Sequence, residues 1–114
     1  MSQIPVIKQD KMYQLLREGD VKQFNKLKAQ GEACDLSNCD FRSLELQGWD
    51  ATGLDLRDCY FRLADLRGID FSQSILEGAS IHEAKVSGAY FPKKLSADEI
   101  TMSLVRGTRM RYGC

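Results

Sequence analysis

The chain has 114 residues, 43% of them apolar, and its 16 basic and 16 acidic side chains give a formal net charge of zero. This length fits one domain. No apolar run is long enough for a membrane helix or a signal sequence, so we expect a cytoplasmic protein that does not contact a membrane. Charge is uneven, since residues 34–91 carry five basic and ten acidic side chains, while the flanking segments 1–33 and 92–114 are net basic.

Two short amphipathic helices are predicted in residues 1–33. The first follows an N-cap at Asp10 and runs to Arg17, and the second follows an N-cap at Asp20 and runs to about Gln30. We expect this segment to be a helical cap on the segment that follows.

Residues 34–93 divide into twelve units of five residues. Eleven of the twelve third positions are large and apolar; the third positions are Leu36, Phe41, Leu46, Ala51, Leu56, Phe61, Leu66, Phe71, Leu76, Ile81, Val86 and Phe91. A helix does not explain this period, because five residues advance about 500° and successive apolar positions would point about 140° apart.

The other positions of the unit fit a short extended side followed by a corner. First positions are mostly apolar, seven of the first eight second positions are acidic, and Gly stands in five of the fifth positions. First and third residues of an extended side point inward and the second points out. Glycine suits a corner that needs a positive φ.

The units CDLSN, CDFRS and ADLRG resemble the motif of the pentapeptide-repeat family. This resemblance implies a mainly β fold, a right-handed, four-sided β-helix solenoid with four units per coil and therefore about three coils. Residues twenty apart would then stack, and the third positions would form the core. Ala51 leaves space in the first coil that Trp49 can fill. Trp49 has an alternative role as an exposed anchor for a partner.

A C-terminal helix and tail are predicted in residues 94–114, all in the same structural domain. Pro92 stops the repeats, Ser96 opens a helix and Gly107 ends it. The residues available to pack inward are Ile100, Leu104 and Val105. The tail after Gly107 is either loose or pairs with another subunit.

The cysteines favour a structural role over chemistry. Cys34, Cys39 and Cys59 take inward first positions, where small buried side chains are expected. A Cys39–Cys59 crosslink and a metal site remain as weaker alternatives. The metal site lacks a fourth ligand, since the single histidine, His82, should point outward. We therefore predict no cofactor.

Catalysis and direct nucleic-acid binding are disfavoured. The sequence has no nucleophile with a plausible base and no glycine-rich phosphate loop, so we expect no enzyme. Apart from Phe24, which is expected on the apolar side of the second helix, only Tyr13 accompanies the basic residues near the N-terminus, which is poor for base stacking. The resemblance implies one alternative, a short acidic DNA mimic that binds DNA gyrase or another nucleic-acid-binding protein. Three coils would span roughly 15 Å, or about four base pairs.

A non-catalytic scaffold for protein–protein contact is the leading interpretation, with an unknown partner. The candidate partner-binding face lies on the second side of the coils, where residues depart from the repeat; it comprises Arg42, Tyr60, Arg62, Leu63 and His82. Alternatively, these arginines pair with Asp40 and Glu83. A homodimer through the C-terminal end is also expected, with Ile75, Tyr90, Ile100 and Leu104 as candidate contacts.

Overall fold

A computed structural model describes residues 5–113, so the outermost residues of the predicted segments 1–33 and 94–114 lie outside it. Its regular elements are three α-helices, α1 (Lys11–Arg17), α2 (Val21–Ala29) and α3 (Ala97–Arg106). Among these described residues, none of the helices is long and apolar enough to cross a membrane.

All three helices begin at the predicted caps. The Asp10 carboxylate accepts a hydrogen bond from the Tyr13 amide at 3.0 Å, and the Asp20 carboxylate accepts one from the Gln23 amide at 3.2 Å. The Ser96 hydroxyl does the same for the amide of Glu99 at 3.1 Å. These bonds satisfy amides that have no partner within the first turn of a helix.

The prediction of a mainly β fold, a four-sided β-helix solenoid, is wrong. Between residues 5 and 113 the structure contains no β-strand in which two or more consecutive residues pair with the same neighbouring segment. The repeats form turns that are joined by isolated parallel bridges. The physical reason is that each corner takes up most of a five-residue unit. One bridging residue is left per side, whereas a strand needs several consecutive paired residues. We call residues 34–93 the repeat stack.

The bridges within the repeat stack nevertheless join residues twenty apart. They pair Asp40 with Tyr60, Tyr60 with Ser80, Glu45 with Asp65, Asp65 with Lys85, Asp55 with Ile75, and Asp70 with Tyr90. Three layers follow from this register, which we call coil 1 (34–53), coil 2 (54–73) and coil 3 (74–93). Each coil contains four five-residue units, which we call its sides and number in chain order.

Hydrogen bonds connect the coils in both directions. The Phe41 amide donates to the Tyr60 carbonyl at 2.8 Å, and the Tyr60 amide donates back to the Cys39 carbonyl at 3.0 Å. The same exchange joins coil 2 to coil 3 through Phe61 and Ser80. The backbone of the stack is therefore fixed layer by layer.

Aromatic rings fill the centre of the stack. Phe41 lies on Phe61 with ring centroids 5.0 Å apart and planes at 7°. The centroid of the Trp49 ring lies 6.1 Å from that of Phe71, which follows Ala51 in the same column, and 6.0 Å from that of Phe24 of α2. Only 3% of Trp49 is exposed, so it packs beneath the N-terminal helices and is not an exposed anchor.

The predicted core residues are mostly buried. Ten are buried, namely Leu36, Phe41, Leu46, Trp49, Leu56, Phe61, Leu66, Phe71, Leu76 and Ile81. Val86 and Phe91, both in coil 3, are only partly buried. The C-terminal end of the stack is therefore less completely covered than its middle.

The N-terminal segment caps coil 1 with polar groups as well as apolar ones. The Asp35 amide donates to the Asp10 carboxylate at 3.3 Å, and the Asp50 amide donates to the side-chain oxygen of Asn25 at 2.9 Å. The Asp40 amide donates to the Val6 carbonyl at 2.9 Å. Three of the four sides of coil 1 thus have their outward amides satisfied.

The C-terminal tail packs on its own chain, which the sequence analysis did not predict. The Met110 amide donates to the Ala79 carbonyl at 2.8 Å, and the Gly78 amide donates to the Met110 carbonyl at 2.7 Å. The Tyr112 hydroxyl accepts from the Leu76 amide at 2.9 Å. The described part of the tail is therefore packed on its own chain, and pairing of the tail with another subunit stays a prediction. The prediction that Val105 packs inward is also wrong, since it is 66% exposed.

Candidate interaction face

The acidic second positions are used within the repeat. In six units the aspartate accepts a hydrogen bond from the amide two residues later, which closes the corner; these residues are Asp35, Asp40, Asp50, Asp55, Asp65 and Asp70. This local bond is characteristic of aspartate in turns. The second-position aspartates therefore stabilise the corners of the repeat. Units that lack this aspartate are the ones to search for a binding surface.

The repeat also pairs this aspartate with an arginine where the fourth position supplies one. Arg57 donates to the two oxygens of Asp55 at 2.9 and 2.7 Å, and Arg67 donates to those of Asp65 at the same distances. The hydrogen bonds from Arg67 lower the pKa of Asp65 to about 2. A two-pronged pair of this kind neutralises the cation at the surface.

The second side breaks this arrangement at Arg62. The position two residues earlier is Tyr60, which supplies no carboxylate. Among residues 5–113 no carboxylate lies within 4.0 Å of the Arg62 guanidinium, including that of Glu83, the partner that sequence alone suggested. The nearby Tyr60 hydroxyl raises the pKa of Arg62. Arg62 is thus a charged side chain without an ionic partner in the described part of the chain.

Arg42 lies beside the same tyrosine. Its guanidinium carbon is 6.0 Å from the centre of the Tyr60 ring, and its contact with Asp40 is long, at 3.4 Å. The Arg42 side chain is 58% exposed, so the pair is weak by the standard of surface ion pairs. Two guanidinium groups therefore flank one aromatic ring.

Leu63 adds an apolar side chain at the edge of this group. It has a φ of 61°, and 48% of it is exposed. A left-handed conformation costs an ordinary residue about 1–2 kcal/mol, and Leu63 recovers little of that by burial. The other non-glycine residues at positive φ between residues 5 and 113 are polar: Asn38, Ser43, Asp58 and Glu83.

His82 does not extend the face. Its side chain is 23% exposed and lies 3.7 Å from the Glu83 carboxylate. A side chain at Gly107 would come within 3.0 Å of the His82 ring, so the end of α3 covers this residue. We define the second-side face as Arg42, Tyr60, Arg62 and Leu63, with His82 at its boundary.

The candidate residues for self-association lie on different elements and differ in exposure. Ile75 is 43% exposed on the first side, and Tyr90 is 67% exposed on the fourth side. Ile100 and Leu104 are partly buried and pack against the core. The exposed apolar residues of α3 are instead Met102 and Val105.

The three cysteines within the described residues are free thiols. Burial raises the pKa of Cys39 to about 12 and also raises that of Cys59. The Cys59 thiol donates to the Leu36 carbonyl at 2.9 Å, so it is directed into the stack. Residues 5–113 contain no group of three or more side chains that could hold a metal ion.

Comparison with known proteins identifies the repeat. A family model described as pentapeptide repeats matches residues 55–91 with eight copies. No curated protein and no solved structure matches the chain. The match covers most of coils 2 and 3, and the same twenty-residue bridges extend the register into coil 1 at Asp40 and Glu45. The resemblance inferred from the sequence motif is confirmed, and residues 55–91 are pentapeptide repeats.

Proposed function

We propose that this protein is a non-catalytic scaffold for protein–protein contact, which binds an acidic segment of its partner through the second-side face. The observation that carries the proposal is Arg62, a charged side chain with no carboxylate partner among the described residues, next to the exposed and strained Leu63. Elsewhere in the repeat, Arg57 and Arg67 are paired with aspartates of their own units.

The chemistry of this face suits an acidic partner. Arg42 and Arg62 occupy equivalent positions in adjacent coils, so their backbones are about 4.8 Å apart. A partner carboxylate placed between them would meet two guanidinium groups. Arginine, tyrosine and an apolar neighbour that excludes water are the combination typical of strong contact sites.

The layers beneath the face favour binding because they hold it rigid. Phe41 and Phe61 stack directly under the second side, and Ile81 lies in the next coil of the same column. Hydrogen bonds fix the backbone of Tyr60 to coil 1, and those of its neighbours Cys59 and Phe61 fix it to coil 3. A face that is already ordered loses less conformational entropy when a partner binds.

The DNA-mimic alternative gains less support. Five of the seven second-position acids lie within 4.0 Å of a lysine or arginine of the same chain; they are Asp35, Asp40, Asp50, Asp55 and Asp65. Paired acids present less negative charge to a DNA-binding protein. A supercoiling assay with DNA gyrase separates the two functions, since a mimic inhibits the enzyme or alters its response to drugs and a scaffold of another kind does neither.

Self-association and a cytoplasmic location remain predictions. Tyr90, Met102 and Val105 supply exposed apolar surface near the C-terminal end. Sedimentation over a wide concentration range tests the dimer. A purely monomeric protein at high concentration would remove it from the proposal.

The test of the second-side face compares matched arginine variants. Tagged wild-type protein, Arg62→Ala and Arg57→Ala are used for quantitative affinity purification from the native cell. We expect a partner to be lost from Arg62→Ala and retained by Arg57→Ala, because the latter arginine is already engaged by Asp55. The dissociation constant of that partner should then weaken for Arg62→Ala and respond to salt. Equal recovery by both variants would refute the proposal.

A further inference from the structure

The two ends of the repeat stack are capped to different extents. In coil 3, the amides of third and fifth positions and the carbonyls of first positions point away from coil 2. On the first and second sides the tail and α3 bond all of these groups except the Ser74 carbonyl, for which the described residues supply no partner. The Ile81 amide donates to the Ser103 hydroxyl at 2.9 Å, and the Glu83 amide donates to the Leu104 carbonyl at 3.0 Å.

Nothing in residues 5–113 covers the third and fourth sides of coil 3 in this way. Within the described chain, no hydrogen-bond partner is found for the amides of Val86, Gly88 and Phe91, or for the carbonyls of Ala84 and Ala89. In coil 2 the equivalent amides of Leu66, Gly68 and Phe71 all donate to coil 3. We call residues 84–91 the open edge.

Apolar side chains also remain uncovered at the open edge. Val86 and Phe91 are partly exposed. The residues below them in the same columns, Leu66 and Phe71, are no more than 1% exposed. One more layer would therefore bury apolar area and satisfy backbone groups together, as an added strand does at the edge of a sheet.

The charge at the open edge indicates what kind of layer fits. Lys85 stands where coils 1 and 2 have Glu45 and Asp65, and it bridges directly to Asp65. Lys93 and Lys94 follow at the next corner and are exposed. An acidic side chain placed over Lys85 would face an opposite charge, as Asp65 does on the other side of Lys85. A second copy of the chain would instead present the same basic edge.

We propose that the open edge binds an extended, acidic segment of a partner protein, which adds a further layer to coil 3. The segment would place a carboxylate over Lys85 and apolar side chains over Val86 and Phe91. Its backbone would pair with the free amides and carbonyls of residues 84–91. This site is separate from the second-side face, so it goes beyond the function proposed above and does not depend on it.

A peptide copied from the chain itself is the probe. The acetylated and amidated sequence ADLRGIDF, from residues 64–71, carries the side chains that fit over residues 84–91. It is titrated into ¹⁵N-labelled protein and followed by NMR. We expect the amide signals of Val86, Gly88 and Phe91 to shift and their hydrogen exchange to slow. The control peptide AKLRGIKF, with both acids replaced by lysine, should bind about two- to fivefold more weakly, as expected for loss of one exposed charge pair.

Two protein variants make the assignment specific. Lys85→Glu should reverse the preference between the two peptides, and Arg62→Ala should leave binding unchanged. The proposal is overturned by an absence of shifts at millimolar peptide or by equal binding of both peptides. It is also overturned if protein concentration alone moves the same signals, which would make a second copy the occupant. Loss of binding in Arg62→Ala would place the peptide on the second-side face instead.

Discussion

Replacement of Phe61 by alanine probes the centre of the repeat stack. Phe61 is fully buried, and its ring lies 5.0 Å from that of Phe41, 6.2 Å from that of Phe71 and 6.4 Å from that of Trp49. Removing a buried phenylalanine side chain typically costs about 3–5 kcal/mol. We expect the upper part of this range, since the cavity would open between rings on several sides and the bonded coils cannot close it.

Denaturant unfolding followed by fluorescence measures this cost. The single tryptophan, Trp49, contacts the same cluster and reports its loss directly. Phe61→Leu keeps most of the volume and should cost no more than about 1.5 kcal/mol. Tyr90→Ala removes an exposed ring and should change stability by no more than about 0.5 kcal/mol. A cost below about 1 kcal/mol for Phe61→Ala, or an equal cost for Tyr90→Ala, would refute the reasoning.

Three further predictions concern Leu63, Asp65 and the buried thiols. Leu63→Gly should relieve the left-handed strain and raise the free energy of unfolding by about 0.5–1 kcal/mol, while weakening partner binding; a loss of stability would contradict this. Because Arg67 lowers the pKa of Asp65 to about 2, the stability this carboxylate adds is present above its unfolded pKa of about 3.9 and is lost as pH falls toward 2. The stability difference between wild type and Asp65→Asn should therefore shrink from pH 6 to pH 2, and a constant difference would exclude the pairing as its source. At pH 8, iodoacetamide should label Cys34, which is partly exposed, before the buried Cys39 and Cys59, although burial raises the pKa of all three thiols; equal rates in the folded protein would show that the stack opens.

The helix ends and the register could be predicted because short-range chemistry determines both. Asp10, Asp20 and Ser96 each accept a hydrogen bond at the start of a helix, as their side chains suggest. The period of five fixes which residues point inward, and it places Phe41 on Phe61 once four units make a coil. The β designation failed because one bridging residue per side does not make a strand.

The parts that escaped prediction depend on long-range contacts. Met110 and Tyr112 cap coil 3 from outside any repeat, and nothing in their local sequence indicates a partner more than thirty residues away. The unpaired charge of Arg62 had a visible signal, the replacement of the repeat's aspartate by Tyr60. The positive φ of Leu63 had a weaker one, its place at a corner where other units have glycine.

The twenty-residue register supports every conclusion about the faces and ends of the molecule. Nuclear Overhauser effects in a fully labelled sample test it most directly, through contacts between the rings of Phe41 and Phe61 and between the backbones of Asp40, Tyr60 and Ser80. We expect strong cross-peaks for residues twenty apart. Cross-peaks that link these residues to neighbours at another spacing would contradict it, together with the assignment of the second-side face and the open edge.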